Sequence, residues 1–293
     1  MKTKAISVTA LAALLFSCGT AQKTGVMTEK QVAIREQQVK INYIQQGNGK
    51  TTLLFLHGWC IDKSYWENQI SYFFKDYTVC AIDLAGFGKS KANRENWTIE
   101  EYAKDVSAFI DSLDLQNVIL IGHSMSGEII LQTALNNNPR IKGLIGVDNF
   151  KFIDVEFTPE QIEQMSAFFP LLQNDFNTNA PIYAENMLFH PSTSTEVKER
   201  VKSDFANANP KTGYSSLMNL MQFSQSEASK LEELPYKLYL INSDAIPTNE
   251  SGLEKHCKTG FEVQSLKRTG HYPMVEKPDE FNRLLENVLN LIE

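Results

Sequence analysis

Residues Ile121-Gly122-His123-Ser124-Met125-Ser126-Gly127 decide how this chain is read. The apolar run Val118-Ile119-Leu120-Ile121 precedes them and Glu128-Ile129-Ile130-Leu131-Gln132-Thr133-Ala134-Leu135 follows, so the pattern is strand, abrupt turn, helix. A serine in such a turn is a candidate nucleophile. Small residues two before and two after it, Gly122 and Ser126, let the chain cross itself closely while the serine side chain points outward. The pattern departs from G-x-S-x-G at its last position, where Ser126 stands and glycine follows one residue later as Gly127. Alone, the stretch is equally well explained as a Gly/Ser-rich turn, so the decision falls to the rest of the chain.

On the N-terminal side, Val32 to Tyr43 alternates loosely, as two antiparallel strands closed by a turn at Gln46-Gly47-Asn48-Gly49 would. Thr52-Leu53-Leu54-Phe55-Leu56 is continuously apolar, the mark of a strand covered on both faces, and it ends at His57-Gly58-Trp59. Asp62 to Phe74 carries Trp66 and Ile70 at helical spacing, and Tyr77 to Ile82 is another apolar strand ending at Asp83. Thr98-Ile99-Glu100-Glu101 is a capping box for a helix reaching about Leu113.

On the C-terminal side, Asn136-Asn137-Asn138-Pro139 stops the helix after the serine, and Ile141 to Val147 forms a strand ending at Asp148-Asn149. Between about Phe150 and Glu233 no strand pattern appears, and helices are expected at Ile162–Leu172, Ala184–Phe189, Thr195–Phe205 and Tyr214–Phe223. Strands resume at Lys237–Ile241 and Phe261–Leu266, and a helix from Pro278 carries the stripe Phe281, Leu284, Leu285, Val288 and Ile292. Alternating buried strands and amphipathic helices predict an α/β fold: a mostly parallel, doubly wound sheet with a core over 31–149 and 234–293 and an inserted helical cap over 150–233.

The 293 residues, 42% hydrophobic and 22% charged, suit one large domain or a core with an insertion. A formal charge of −7 without a Lys/Arg cluster argues against a nucleic-acid partner. Residues 1–17 read as a signal peptide, because Lys2 and Lys4 are followed by an uncharged run from Ala5 to Phe16 that is too short to span a bilayer. Leu15-Phe16-Ser17-Cys18 resembles a bacterial lipobox, with Phe16 a bulky departure; the alternatives are cleavage near Ala21 or a short anchor left in place. That resemblance implies lipidation at Cys18, a tether over 18–30, and an exported cell-envelope lipoprotein facing the periplasm and held on a membrane through its N-terminal lipid. The remaining cysteines, Cys60, Cys80 and Cys257, are odd in number and lack C-x-x-C spacing, which argues against a disulfide framework or zinc site. Cys80, inside an apolar run, is expected to be a buried strand residue.

A serine hydroxyl needs a base to remove its proton, and the base needs a third group to hold it. Thr269-Gly270-His271-Tyr272-Pro273 follows the last strand and places a histidine at the same sheet edge as Ser124. Asn242-Ser243-Asp244 follows the strand before it, giving the chain order Ser124, Asp244, His271. Asp148 also ends a strand. It is the alternative acid, Asp244 being preferred. His123 and His57 are expected to pack and support their loops, His190 and His256 to be peripheral, and Asp83 with Ser90 to stabilise a loop; none of the histidines has metal-ligand spacing, and no cofactor is expected.

Together, His57-Gly58-Trp59, Asp83-Leu84-Ala85-Gly86-Phe87-Gly88-Lys89-Ser90, the serine turn, and Gly270-His271-Tyr272-Pro273 with Phe281 resemble the α/β-hydrolase superfamily with a helical cap, across residues 32–292. The resemblance implies an oxyanion hole built from the backbone N–H groups of Trp59 and Met125. It also implies a serine hydrolase, a carboxylesterase for small or medium apolar acyl groups, working through an acyl-enzyme on Ser124. A serine at that position sets the chain apart from epoxide hydrolases and haloalkane dehalogenases, which use aspartate. Amide or C–C bond hydrolysis would use the same three residues, and a non-catalytic receptor for a hydrophobic small molecule is the rival from another class.

Overall fold

The computed structural model describes residues 27–292. The expected signal peptide over 1–17, the expected lipidation at Cys18 and most of the expected tether over 18–30 therefore lie outside the described residues. The strands are β1 (Glu29–Ile34), β2 (Val39–Gln46), β3 (Thr52–Leu56), β4 (Thr78–Ile82), β5 (Lys91–Ala92), β6 (Val118–His123), β7 (Ile141–Val147), β8 (Leu238–Ser243) and β9 (Phe261–Leu266). Among the described residues they form one sheet in the order β1-β2-β4-β3-β6-β7-β8-β9, with β5 paired to β2. From β4 to β9 neighbouring strands run parallel, so their C-terminal ends share one edge.

The order follows from the sequence. Leu53 to Leu56 of β3 and Val118 to Ile121 of β6 are buried on both faces, as strands at the middle of a parallel sheet must be. Helix α1 (Glu67–Phe73), α2 (Ile99–Ser112), α3 (Ser126–Leu135) and the terminal α12 (Pro278–Ile292) cover those faces. Trp66, in the tight turn before α1, is fully buried against Phe55, ring centroids 4.9 Å apart. The Thr98 hydroxyl accepts from Glu101 N at 3.2 Å and starts α2 where the capping box predicts. In α12, Phe281, Leu285, Val288 and Leu289 are buried, while Leu284 and Ile292 pack at the margin. Cys80 is buried in β4, and Cys60, Cys80 and Cys257 are free thiols.

Between β7 and β8 the chain is helical: α4 (Pro159–Ser166), α5 (Phe168–Asn174), α6 (Phe176–Met187), α7 (Thr195–Asn207), α8 (Pro210–Ser224) and α9 (Glu227–Glu233). After β8 come α10 (Glu250–His256), then β9 and the short α11 (Pro273–Glu276). None of these helices is long and apolar enough to cross a membrane.

Three details differ from the sequence expectation. The hairpin turn joining β1 to β2 is at Arg35–Gln38, not at Gln46–Gly49; Arg35, Glu36 and Gln37 take φ of 51°, 55° and 69°. The glycines at 47 and 49 serve the next connection instead, where a Cβ would strike the backbone carbonyls of Tyr77 and Asp76. Glu29 and Lys30, which the sequence reading places in the tether, belong to β1 and pair with Ile44 and Tyr43. Finally, Ile162–Leu172 is two helices, since Pro170 has no N–H to continue the ladder.

Candidate active site

Ser124 sits between β6 and α3 at φ 52°, a left-handed conformation that costs a non-glycine residue about 1–2 kcal/mol. The surroundings hold it there. Ser124 N donates to Val147 O at 2.9 Å and Gly127 N to Ser124 O at 2.7 Å. A side chain at Gly122 would strike the Ser126 carbonyl, and one at Gly127 would strike the Asn149 amide. The replacement of the usual glycine by Ser126 has a use: its hydroxyl donates to His57 O at 2.5 Å and ties the serine turn to the loop after β3. Asn149 Nδ2 donates to Gly122 O at 3.0 Å, linking the same turn to the end of β7.

His271 follows β9 and reaches back across the sheet edge. Its Nε2 accepts from the Ser124 hydroxyl at 2.8 Å, and its Nδ1–H donates to Asp148 Oδ2 at 2.6 Å. The imidazole is 19% exposed, whereas the Asp148 side chain is only 5% exposed. His271 N donates to Leu188 O at 2.8 Å, so the inserted helices help to place the backbone on which the imidazole is carried.

The preferred acid, Asp244, is not the one that faces the imidazole. Its Oδ1 accepts from Arg268 N at 2.7 Å, and the residue is spent on shaping the loop between β9 and His271. Asp148, the alternative, is the partner. Asp148 lies at the end of β7, one strand from Ser124, and its Oδ1 is held by two further donors: Ser243 N at 2.8 Å and Lys151 Nζ at 2.6 Å. Burial works against ionisation here, but it is outweighed by the hydrogen bond and charge of His271 and by those of Lys151, so the carboxyl lies well below the usual aspartate range.

Lys151, Ser243 and Asn149 take part in this arrangement without having been singled out in the sequence. The sequence does carry a signal for Lys151: a lysine flanked by Phe150 and Phe152 and three residues after Asp148 at the end of a buried strand suits a buried ion pair.

The other histidines are supports. His57, fully buried, donates from Nδ1 to Gly58 O at 2.8 Å and accepts Leu84 N at 2.9 Å on Nε2; burial lowers its proton affinity and keeps it neutral. His123 donates from Nε2 to His271 O at 2.7 Å, and burial, followed by the nearby His271, drops its pKa to about 3. His190 and His256 take no part in the relay: His190 hydrogen-bonds Ser192 on a segment packed against Gly270, and His256 hydrogen-bonds Glu232. Asp83 accepts from Lys63 N, Lys63 Nζ and Lys89 N at 3.0, 3.0 and 2.8 Å, while Ser90 donates to its carbonyl at 2.7 Å, which fixes the loop beside His57.

A Cβ at Gly58 would lie 2.6 Å from His123 Nδ1 and 3.1 Å from Ser124 Cβ, so the loop after β3 runs directly against the serine. The next residue, Trp59, donates from its indole Nε1 to Gly213 O of α8 at 2.8 Å. Its ring lies edge-on to Phe176, Tyr183 and Phe205 with centroids 5.6, 6.0 and 5.1 Å away. Met125 is buried immediately after the serine. Among the described residues no group of three or more His, Cys, Asp or Glu side chains could hold a metal ion.

Residues 51–248 match the family described as alpha/beta hydrolase fold. Among curated relatives, the chain is 30% identical over 116 residues to the dihydrolipoyllysine-residue acetyltransferase component of the acetoin cleaving system from Cupriavidus necator, covering 40% of this chain and 31% of that protein. It is 32% identical over 105 residues to epoxide hydrolase 4 of Mus musculus, covering 35% of this chain and 29% of that protein. The matches thus span about a third of the length of these relatives. Among solved structures, a thermophilic esterase from Thermogutta terrifontis superposes with a TM-score of 0.74 at 21% identity, covering 90% of this chain and 99% of that one.

Proposed function

Since the chain belongs to the α/β-hydrolase fold family, we propose that it is a serine hydrolase that cleaves carboxylic esters through an acyl-enzyme on Ser124. The observation that carries this reading is the unbroken relay Ser124 Oγ to His271 Nε2 at 2.8 Å and His271 Nδ1 to Asp148 Oδ2 at 2.6 Å. His271 accepts the serine proton as Oγ attacks the ester carbonyl, and returns it to the departing alkoxide. A water then attacks the acyl-enzyme with His271 again as base. Asp148 keeps the proton on Nδ1, so that Nε2 is the nitrogen with a free lone pair, and it stabilises the imidazolium that forms.

The tetrahedral oxyanion is assigned to the backbone N–H groups of Trp59 and Met125. Gly58 packed against Ser124 Cβ supports that assignment, and each such donor contributes about 2.7–4 kcal/mol to transition-state stabilisation. The inserted helices serve as the cap, packed on the loop after β3 through Trp59, Phe176, Tyr183 and Phe205, and this apolar surround supports a small or medium apolar acyl group.

A fluorophosphonate probe labels Ser124 in the folded protein and fails to label Ser124→Ala, which also loses hydrolysis of p-nitrophenyl esters by about 10⁶-fold. Undiminished ester hydrolysis in the alanine variant overturns the reading. The N-terminal pattern supports export and lipidation at Cys18; intact-mass analysis of protein from its native membrane detects the acyl chains, and Cys18→Ala releases the protein to the soluble fraction if the assignment is right.

A further inference from the structure

Lys151 is buried beside the acid of the relay, and all three of its ammonium hydrogens have acceptors there. Its Nζ lies 2.6 Å from Asp148 Oδ1, 3.1 Å from Ser243 O and 3.0 Å from Ser243 Oγ, with 5% of its side chain exposed. Oδ1 is thereby occupied twice, by Lys151 and by Ser243 N, leaving Oδ2 alone to face the imidazole. A cation so close to the acid does two separable things. It locks rotation of the carboxylate, and it cancels part of the negative potential that would otherwise draw a proton onto His271.

We propose that Lys151 is a positioning residue of the relay: its ammonium clamps Asp148 in the rotamer that presents Oδ2 to His271, and its charge offsets part of the pull that Asp148 exerts on a proton at His271. The catalytic consequence rests on the serine-hydrolase reading, whereas the clamp and its electrostatic effect do not.

Few other charges act on this imidazole. Ser124 and the buried, neutral His123 face it from the end of β6, with the His123 ring centroid 4.8 Å away. Tyr272 lies beside it at 5.3 Å and is buried with its hydroxyl held neutral. Glu276 of α11 turns its carboxylate to Gly270 N at 3.0 Å and Thr193 Oγ1 at 2.7 Å, and Asp244 is engaged by Arg268 N. From the inserted helices the contact is a backbone carbonyl, Leu188 O. Lys151 is therefore the cation whose removal the imidazole registers.

The experiment follows the His271 imidazole by NMR across pH in the Ser124→Ala background, where no turnover intervenes, and in parallel records the pH profile of kcat/KM in enzymes with Ser124 present. In Lys151→Met the imidazole midpoint and the acid limb of the profile both move up by about one pH unit, so that activity below the limb falls roughly tenfold further. Lys151→Arg keeps the charge and keeps both at the wild-type position. Lys151→Gln, which retains hydrogen-bonding capacity toward Asp148 and Ser243, is the neutral variant if methionine prevents folding, and it shifts in the same direction. A folded neutral variant whose imidazole midpoint stays where the wild type has it overturns the proposal, even if kcat has dropped, because a purely structural ion pair would behave that way. If instead Ser124→Ala retains esterase activity, the serine-hydrolase reading fails while the NMR arm still decides the role of Lys151.

Discussion

Asp148 and Asp244 stand at the ends of adjacent parallel strands, and they have opposite fates. Asp148, after β7, is buried and accepts from Lys151, Ser243 and His271; Asp244, after β8, is partly exposed and accepts from the backbone of Arg268. The two ends are physically linked: Ser243, the residue just before Asp244, spends its N–H on Asp148 and its two oxygens on Lys151. A strand end becomes part of a relay through the donors assembled around it, and chain order alone does not supply them.

The most severe way to break this comparison is to neutralise each acid in turn. Asp148→Asn is expected to lower kcat/KM for an ester substrate by about 10³- to 10⁴-fold, because an amide opposite Nδ1 favours the wrong imidazole tautomer. It also strands the Lys151 charge in the interior. Asp244→Asn still offers an oxygen to Arg268 N, and its kcat/KM should stay within about threefold of wild type, in line with other partly exposed substitutions. The reverse ranking would return the acid to Asp244 and require the loop after β8 to rearrange during turnover.

The preference for Asp244 in the sequence shows where legibility stops. The serine turn, the histidine after the last strand and the apolar strands carry local chemical signatures, and Ser124 and His271 lie within 2.8 Å of one another as that reading requires. Which aspartate meets the imidazole depends on a few ångströms of loop path, and nothing in Asn242-Ser243-Asp244 records that Asp244 turns toward Arg268. The same limit hid the hairpin at Arg35–Gln38, where three non-glycine residues take left-handed conformations that glycine would have announced. Between β7 and β8, α9 carries no stripe that sequence could show, because Glu227–Glu233 holds only two apolar residues, Ala228 and Leu231. The Pro170 break was visible but was overridden by the apolar spacing on either side of it.

A third carboxylate site sharpens the lesson by removing the donors. Glu128 and Glu227 meet where α3 packs on α9; Glu128 Oε2 and Glu227 Oε1 are both buried without a hydrogen-bond partner. Lys230, one turn along α9, is engaged elsewhere, donating to Gln132 Oε1 at 2.7 Å and lying over the Phe223 ring at 4.8 Å. Burial is therefore unopposed by a cation. It pushes Glu227 up to about 7, and burial together with Glu227 raises Glu128 well above the usual glutamate range.

Asp148 is buried as well, yet it is shifted the other way, which makes pH the means of telling the two environments apart. A folded-state pKa raised above the unfolded value means that the folded protein holds a proton the unfolded chain would release. The stability this provides is complete below about pH 4.5 and is lost as pH rises through about 7. For Asp148 the sign reverses: its contribution is present above the ordinary aspartate range near 3.8 and fades as pH falls below it. Glu227→Gln, which stays neutral, should therefore unfold much like the wild type at pH 5 but be more stable at pH 8.5, on the order of 1–3 kcal/mol, read as a Tm higher by several degrees. Equal Tm differences at the two pH values would mean that the Glu128–Glu227 contact is solvated, and that burial without donors is not what separates it from Asp148.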